Sequence, residues 1–254
     1  GSNLMESPIL LDMGKSNKMY KVFRKSENMR QLVKNSRHLS DYMRDRISGG
    51  ISLWIAQHDG RSKDGNDITD PGLLKMLSLG GGPDIVKTLS ALNITPVAVS
   101  YEIEPCDILK VTESWKKKNQ GFYIKSPGED LVSIVTGITQ YKGRVHITIC
   151  PPITEEELTP YSSLSPSLLL KKAASLIDKR IYNGYRLFGT NYAAYDLLNG
   201  KALYKEYYTP DDLKILTQRE MLLKERNESV LDSMTRMLRS IYANPVKNKI
   251  KYGS

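Results

Sequence analysis

The chain is poor in several things that would otherwise declare a function. It has two cysteines, Cys106 and Cys150, 44 positions apart and without a Cys-x-x-Cys partner. That excludes a disulfide framework and a zinc ribbon and makes a reducing cytoplasm the natural compartment. No stretch approaches the ~18 consecutive apolar residues of a membrane-spanning helix. The N-terminus lacks the charged-then-apolar pattern of a secretory signal. There is no internal repeat and no low-complexity block. Only three histidines are present, His38, His58 and His146, so histidine chemistry has few places to reside.

What is present is ordinary globular composition with a basic excess. Of 254 residues, 40% are hydrophobic and 26% charged, which allows one or two domains with a sizeable core. The net charge is +9, from 37 Lys and Arg against 28 Asp and Glu. A basic surface suits nucleic acid, anionic lipid or an acidic carrier. The excess is dispersed, however. Its densest run, Lys116-Lys117-Lys118, reads as a solvated helix end, and Lys247, Lys249 and Lys251 read as a solvated tail. Charge alone leaves the partner open.

Periodicity gives the order of elements. Met29, Leu32, Val33, Leu39, Tyr42 and Met43 recur at helical spacing, which predicts a helix over 28–47 ended by Gly49-Gly50. The apolar run Ile51 to Gln57 reads as a strand. Asp70-Pro71 opens a helix through Leu79, and Pro83-Asp84 opens another through Leu92. Ile94 to Tyr101 is β-branched and reads as a strand with an edge or entry position at Pro96. Helices over 106–118 and 128–141 follow, then a strand from Arg144 to Ile149. After Pro160 the pattern turns helical throughout, over 166–186, 191–199, 210–225 and 228–243. The expected fold class is therefore α/β: a partly parallel sheet flanked by helices over 1–152, followed by a helical C-terminal region over 160–245.

Candidate chemistry concentrates after the first predicted strand, in Gln57-His58-Asp59-Gly60-Arg61-Ser62-Lys63-Asp64-Gly65-Asn66-Asp67. Open α/β sheets bind ligands at such strand ends. Two cations, a hydroxyl and glycine-freed backbone N–H groups suit an anion, most simply a phosphate. Asp64 to Asp67 has the look of a calcium loop, but Arg61 and Lys63 at the preceding odd positions oppose a metal. Gly80-Gly81-Gly82 lacks a P-loop lysine and reads as a hinge. His38 falls on a helix surface, His58 in the loop, and His146 in a strand as a structural residue. The tyrosines of the helical tail suit packing between helices, with seating at a lipid interface as the other use of that residue type.

Three ordered segments resemble the glycerophospholipid acyltransferase superfamily. They are Lys21-Val22-Phe23-Arg24, then Trp54 to Lys63, similar to the family's Glu-Gly-x-Arg-Ser element, then Ile94 to Tyr101, similar to its apolar-Pro-apolar strand. Gly143 to Pro152 looks like the final strand of such a domain, so the likeness covers 20–152. The string Trp-Ile-Ala-Gln-x-x-Gly-Arg-Ser-Lys most resembles a bacterial branch. Three departures stand: Lys21 in place of an aromatic, Asp59 in place of Glu, and one residue fewer between Gly60 and Arg61.

The resemblance implies transfer of a fatty acyl group from acyl-CoA or an acyl-carrier protein, as co-substrate, to a hydroxyl of a glycerophosphate or lysolipid acceptor. It implies work at the inner face of the membrane by a cytoplasmic, peripheral protein, with neither metal nor bound cofactor. Arg24, Arg61, Ser62 and Lys63 would hold the acceptor's phosphate. Asp59 and Gly60 would position the loop. The family's catalytic His-x-x-x-x-Asp, in which His is the base on the acceptor hydroxyl and Asp orients it, has no counterpart here. Five residues beyond the three histidines stand Met43, Lys63 and Pro151. No catalytic residue is assigned, and the motif is expected upstream of Gly1. Two other classes fit the residues: an acyltransferase-like scaffold without activity, and a basic module for nucleic acid or an acidic partner. The chain carries no recognised nucleic-acid motif, so nucleic acid is not the expected partner. The oligomeric state is open.

Overall fold

The computed structural model describes residues 8–20, 22, 28–60, 62–225 and 227–252. The chain is about 60% helical, with one small antiparallel sheet among the described residues. It forms two compact units, each assembled from three stretches: 1–59, 69–94 and 152–176 in the first, and 60–68, 95–151 and 177–254 in the second.

The first unit contains α1 (Pro8–Ser16), α2 (Met29–Ser48), α3 (Pro71–Ser78), α4 (Ile85–Ser90), α7 (Glu155–Leu158) and the start of α8 (Pro166–Gly184). The starts of α2, α3 and α7 have local causes. Asn28 accepts from Arg30 N at the head of α2, and Asp70 from Gly72 N at the head of α3. Thr154 and Glu157 close a capping box on α7. Leu39 and Met43 of α2, Leu74 and Leu77 of α3, and Val86 and Leu89 of α4 are buried. A polar seam accompanies them: Ser40 Oγ and Arg44 both donate to Leu77 O, and Arg44 donates again to Thr88 O. The Gly80-Gly81 pair is fixed by this seam. A Cβ on Gly80 would stand 2.3 Å from Asp41 Oδ1, and one on Gly81 2.3 Å from Thr88 Cγ2.

The second unit carries β1 (Val97–Tyr101) and β2 (Val145–Ile149), with α5 (Asp107–Gln120) and α6 (Glu129–Thr139) between them. The rest of α8, α9 (Gly189–Asn199), α10 (Pro210–Glu220) and α11 (Glu228–Tyr252) complete it. Its core is built where α5, α9 and α10 meet α11, around Val111, Ala193, Ala194, Leu216, Leu238 and Tyr242. The two strands run antiparallel, with Val97 opposite Ile149 and Tyr101 opposite Val145. The interior-facing row is small or polar, Ala98 and Ser100, which lets the backbone of α8 come close: a Cβ on Gly184 would meet Ala98 Cβ at 3.0 Å.

Two expectations are corrected. The sheet is not partly parallel; among the described residues it has two strands, paired antiparallel. The run Ile51 to Gln57 is not a strand. Its apolar composition suits a ladder, but among the described residues no ladder partner reaches it. Two of its carbonyls are met by isolated donors instead, Trp54 O by the Tyr20 hydroxyl and Gln57 O by Asp70 N. Trp54 itself is 74% exposed. The helical character of the C-terminal region stands, and α11 continues nine residues past its expected end through Pro245. No described helix is long and apolar enough to cross a membrane.

One ion pair ties the strand ends together and sets a pH response. Glu102 accepts from Arg144 through its backbone N–H at 2.7 Å and through its guanidinium at 2.7 and 3.1 Å. The hydrogen bonds to Arg144 hold the Glu102 carboxyl below its ordinary range, against a smaller opposing effect of burial. A carboxyl depressed in the folded state stabilises at pH above its unfolded value, and the contribution is lost as pH falls through the folded value. Glu102→Gln should therefore lower stability at neutral and alkaline pH and leave it little changed below the folded value, which flattens the acid limb of the stability curve. The amplitude should be at most about 1 kcal/mol, because Arg144 is solvent-exposed. Urea midpoints between pH 3 and 7 check it.

Candidate functional site

The loop expected to hold an anion begins where the first unit ends. Asp59 closes that unit, with its carbonyl 3.0 Å from His58 Nδ1. Gly60 opens the second unit at φ +79°, a left-handed turn in which a Cβ would meet nothing. Arg24 and Arg61 lie outside the described residues. Of the proposed anion ligands, Ser62 and Lys63 are therefore the two whose positions the structure gives.

Residues 62–68 are held to the second unit's own helices at several points. The Lys63 ammonium sits on the Glu113 carboxylate of α5. Asp64 Oδ1 accepts from Asn66 N, closing an Asx turn on itself. The Asp64 carbonyl accepts from Asn244 Nδ2 of α11 at 2.8 Å, and the Asp67 carbonyl from the Tyr182 hydroxyl of α8 at 2.5 Å. Burial first, and then the nearby Asp178 carboxylate, push the Tyr182 phenol well above its ordinary value, so it remains a donor across the physiological range.

Gly65 is the closest approach. It sits at φ +72°, and a Cβ there would lie 2.4 Å from Ile241 O and 3.4 Å from Pro245 Cδ. The pairing has a backbone reason. Pro245 has no N–H, so the carbonyl four residues earlier, Ile241 O, lacks its usual helical donor. The helix therefore presents a bare carbonyl where only a glycine can come near. The loop is docked on α11 beside Pro245.

These anchors were not visible in the sequence reading. Glu113, Tyr182, Asn244 and Pro245 stand about 50 to 180 positions from the loop in sequence, and none carries a motif. One signal was available. A proline within a helical pattern frees a carbonyl, and a freed buried carbonyl calls for something to approach it.

Chemically, the loop offers a hydroxyl at Ser62 and an ammonium at Lys63. That ammonium has three N–H donors, one of them directed at Glu113. The turn is tied to α5, α8 and α11 rather than standing alone in solvent. None of the three histidines has a carboxylate five residues on, and among the described residues no group of three His, Cys, Asp or Glu could hold a metal ion. No family model, no curated protein and no solved structure matches this chain.

Proposed function

We propose that the chain is the acceptor-binding portion of an O-acyltransferase of the glycerophospholipid type. The observation that carries the reading is the anchored stretch 62–67, which holds Ser62 and Lys63, the residues that follow Arg61 in sequence, on a backbone tied to α5, α8 and α11. An anion site gains from such preorganisation, since donors held in place cost little to align on the ligand. The order of Arg24, the loop and the Pro96 strand adds support.

In this reading Arg24, Arg61, Ser62 and Lys63 bind the acceptor's phosphate. Lys63 shares its donors between that phosphate and Glu113, while Gly60 and Asp59 set the turn. The acceptor hydroxyl loses its proton to a general base and attacks the thioester carbonyl of acyl-CoA or acyl-carrier protein. The C–S bond then breaks, and the thiolate leaves with the proton the base took up. Catalysis is positioning plus proton transfer. The reading requires the base to come from a His-x-x-x-x-Asp preceding Arg24 in the same polypeptide.

The test is to express the gene's whole reading frame and follow thiol release from acyl-CoA and from acyl-carrier protein. The acceptors are glycerol 3-phosphate, lysophosphatidate and a lyso-aminolipid. Acceptor-dependent release is expected. Arg61→Ala should lower acceptor kcat/KM about 10- to 100-fold, the range that about 1.5–3 kcal/mol of charge-assisted hydrogen bonding gives. Absence of release with every acceptor, or a reading frame without the His-x-x-x-x-Asp, overturns the reading.

A further inference from the structure

The two-stranded sheet is inside out. Its register places Val97 opposite Ile149, Val99 opposite Ile147 and Tyr101 opposite Val145. These six residues form one face, and all six are exposed, Ile147 at 62% and Ile149 at 75%. The opposite face carries the smaller or polar set, Ala98, Ser100, His146 and Thr148. Antiparallel sheets with one solvated face put polar residues outward. Here the larger apolar side chains point to solvent, while on the other face Ala98 and Ser100 are buried, Thr148 is half-buried and His146 is exposed. No charged residue lies in the outward set.

From their fractional exposures the six side chains present roughly 500 Å² of contiguous surface, the size at which a patch marks an interaction site. We propose that this face is the surface on which two copies of the chain pair. Face-to-face pairing would remove roughly 1,000 Å² in all, the lower bound for a specific interface. A two-fold axis through the sheet brings the same rows of Val and Ile together, at the ~10 Å spacing of packed sheets.

The alternative occupant, a bilayer, fits less well. Neither strand has a ladder partner on its outer edge among the described residues. Hydrocarbon does not accept open sheet edges, whereas a second sheet lying on the face leaves those edges in water. The nearest ion pair on the strand ends, Glu102 with Arg144, is neutral in sum, and it supplies none of the basic excess that draws a surface to anionic lipid.

Sedimentation velocity between 1 and 100 µM tests the proposal. The weight-average mass should rise from 28.7 kDa towards twice that value. Ile147→Asp should hold it at the monomer throughout. Leu203→Asp, at an exposed apolar residue off the sheet, should leave association intact. If Ile147→Asp fails to fold by circular dichroism, Ile149→Lys serves in its place. Monomer for the unmodified chain at every concentration overturns the proposal. So does a dimer indifferent to both sheet variants, and so does flotation with phosphatidylglycerol vesicles that Ile147→Asp abolishes.

Discussion

Replacing Asp107 by alanine is expected to cost the second unit about 3–5 kcal/mol, the loss that follows when one partner of a buried ion pair is removed. Asp107 is fully buried at the first turn of α5. Its two oxygens take four hydrogen bonds: Arg219 Nε at 2.9 Å, Arg219 Nη2 at 2.5 Å, the Tyr242 hydroxyl at 2.7 Å and Ile108 N at 2.7 Å. The Tyr242 oxygen in turn accepts from Glu104 N. Three helices, α5, α10 and α11, thus meet on one carboxylate. Burial, and then the neighbouring Asp107 charge, push the Tyr242 phenol far above its ordinary value, so it donates at any working pH. Without the carboxylate, the half-buried Arg219 guanidinium loses its counter-charge and the Tyr242 proton loses its acceptor. Tyr242→Phe should cost less, about 1.5–3 kcal/mol, because only one charge-assisted bond is lost. Of the two tryptophans, Trp115 packs against this core. Its fluorescence in a Trp54→Phe background during urea unfolding isolates the effect. Equal midpoints for Asp107→Ala and Tyr242→Phe would contradict the keystone role of the carboxylate.

The same cluster marks the limit of what the sequence discloses. Helices were legible because their signals are local: Asp70-Pro71 and Pro83-Asp84 as starts, and apolar spacing along 29–43. The β-branched runs at Val97–Tyr101 and Val145–Ile149 were legible for the same reason. Pairing is a matter of long-range contact, and alternation of strands with helices pointed to a parallel sheet that the chain does not form. The run at 51–57 has strand composition without a neighbour to pair with, and composition cannot supply one. In the loop, the residue types suited to an anion could be read directly. The residues that hold the loop could not, because Tyr182, Asn244 and Glu113 act through carbonyls and one ion pair that exist only once the chain is folded.

Gly65→Ala should unseat the loop, and a comparison with Gly60→Ala separates the causes. Both glycines have positive φ, so both alanines carry the left-handed penalty, about 1 kcal/mol. At Gly60 nothing lies within 4 Å of the added carbon, and the cost ends there. At Gly65 the added carbon meets Ile241 O at 2.4 Å. That atom is backbone and cannot rotate away. Either residues 62–68 lift from α11 or the helix bends at Pro245, at about 1–3 kcal/mol more. Lifting breaks the bond from Asn244 Nδ2 to Asp64 O and loosens Tyr182 from Asp67 O, so amide exchange over 62–68 should accelerate while exchange in the core of α9 is unchanged. In the whole reading frame the same variant should raise the KM for a phosphate-bearing acceptor more than it lowers kcat, because the loop's proposed work is to hold the ligand and not to move its proton. Asn244→Ala should reproduce a milder form of both effects, since it removes one anchor and adds no clash. If Gly65→Ala and Gly60→Ala behave alike in exchange and in KM, the docking beside Pro245 does not position the loop, and an anion site built on that docking loses its foundation.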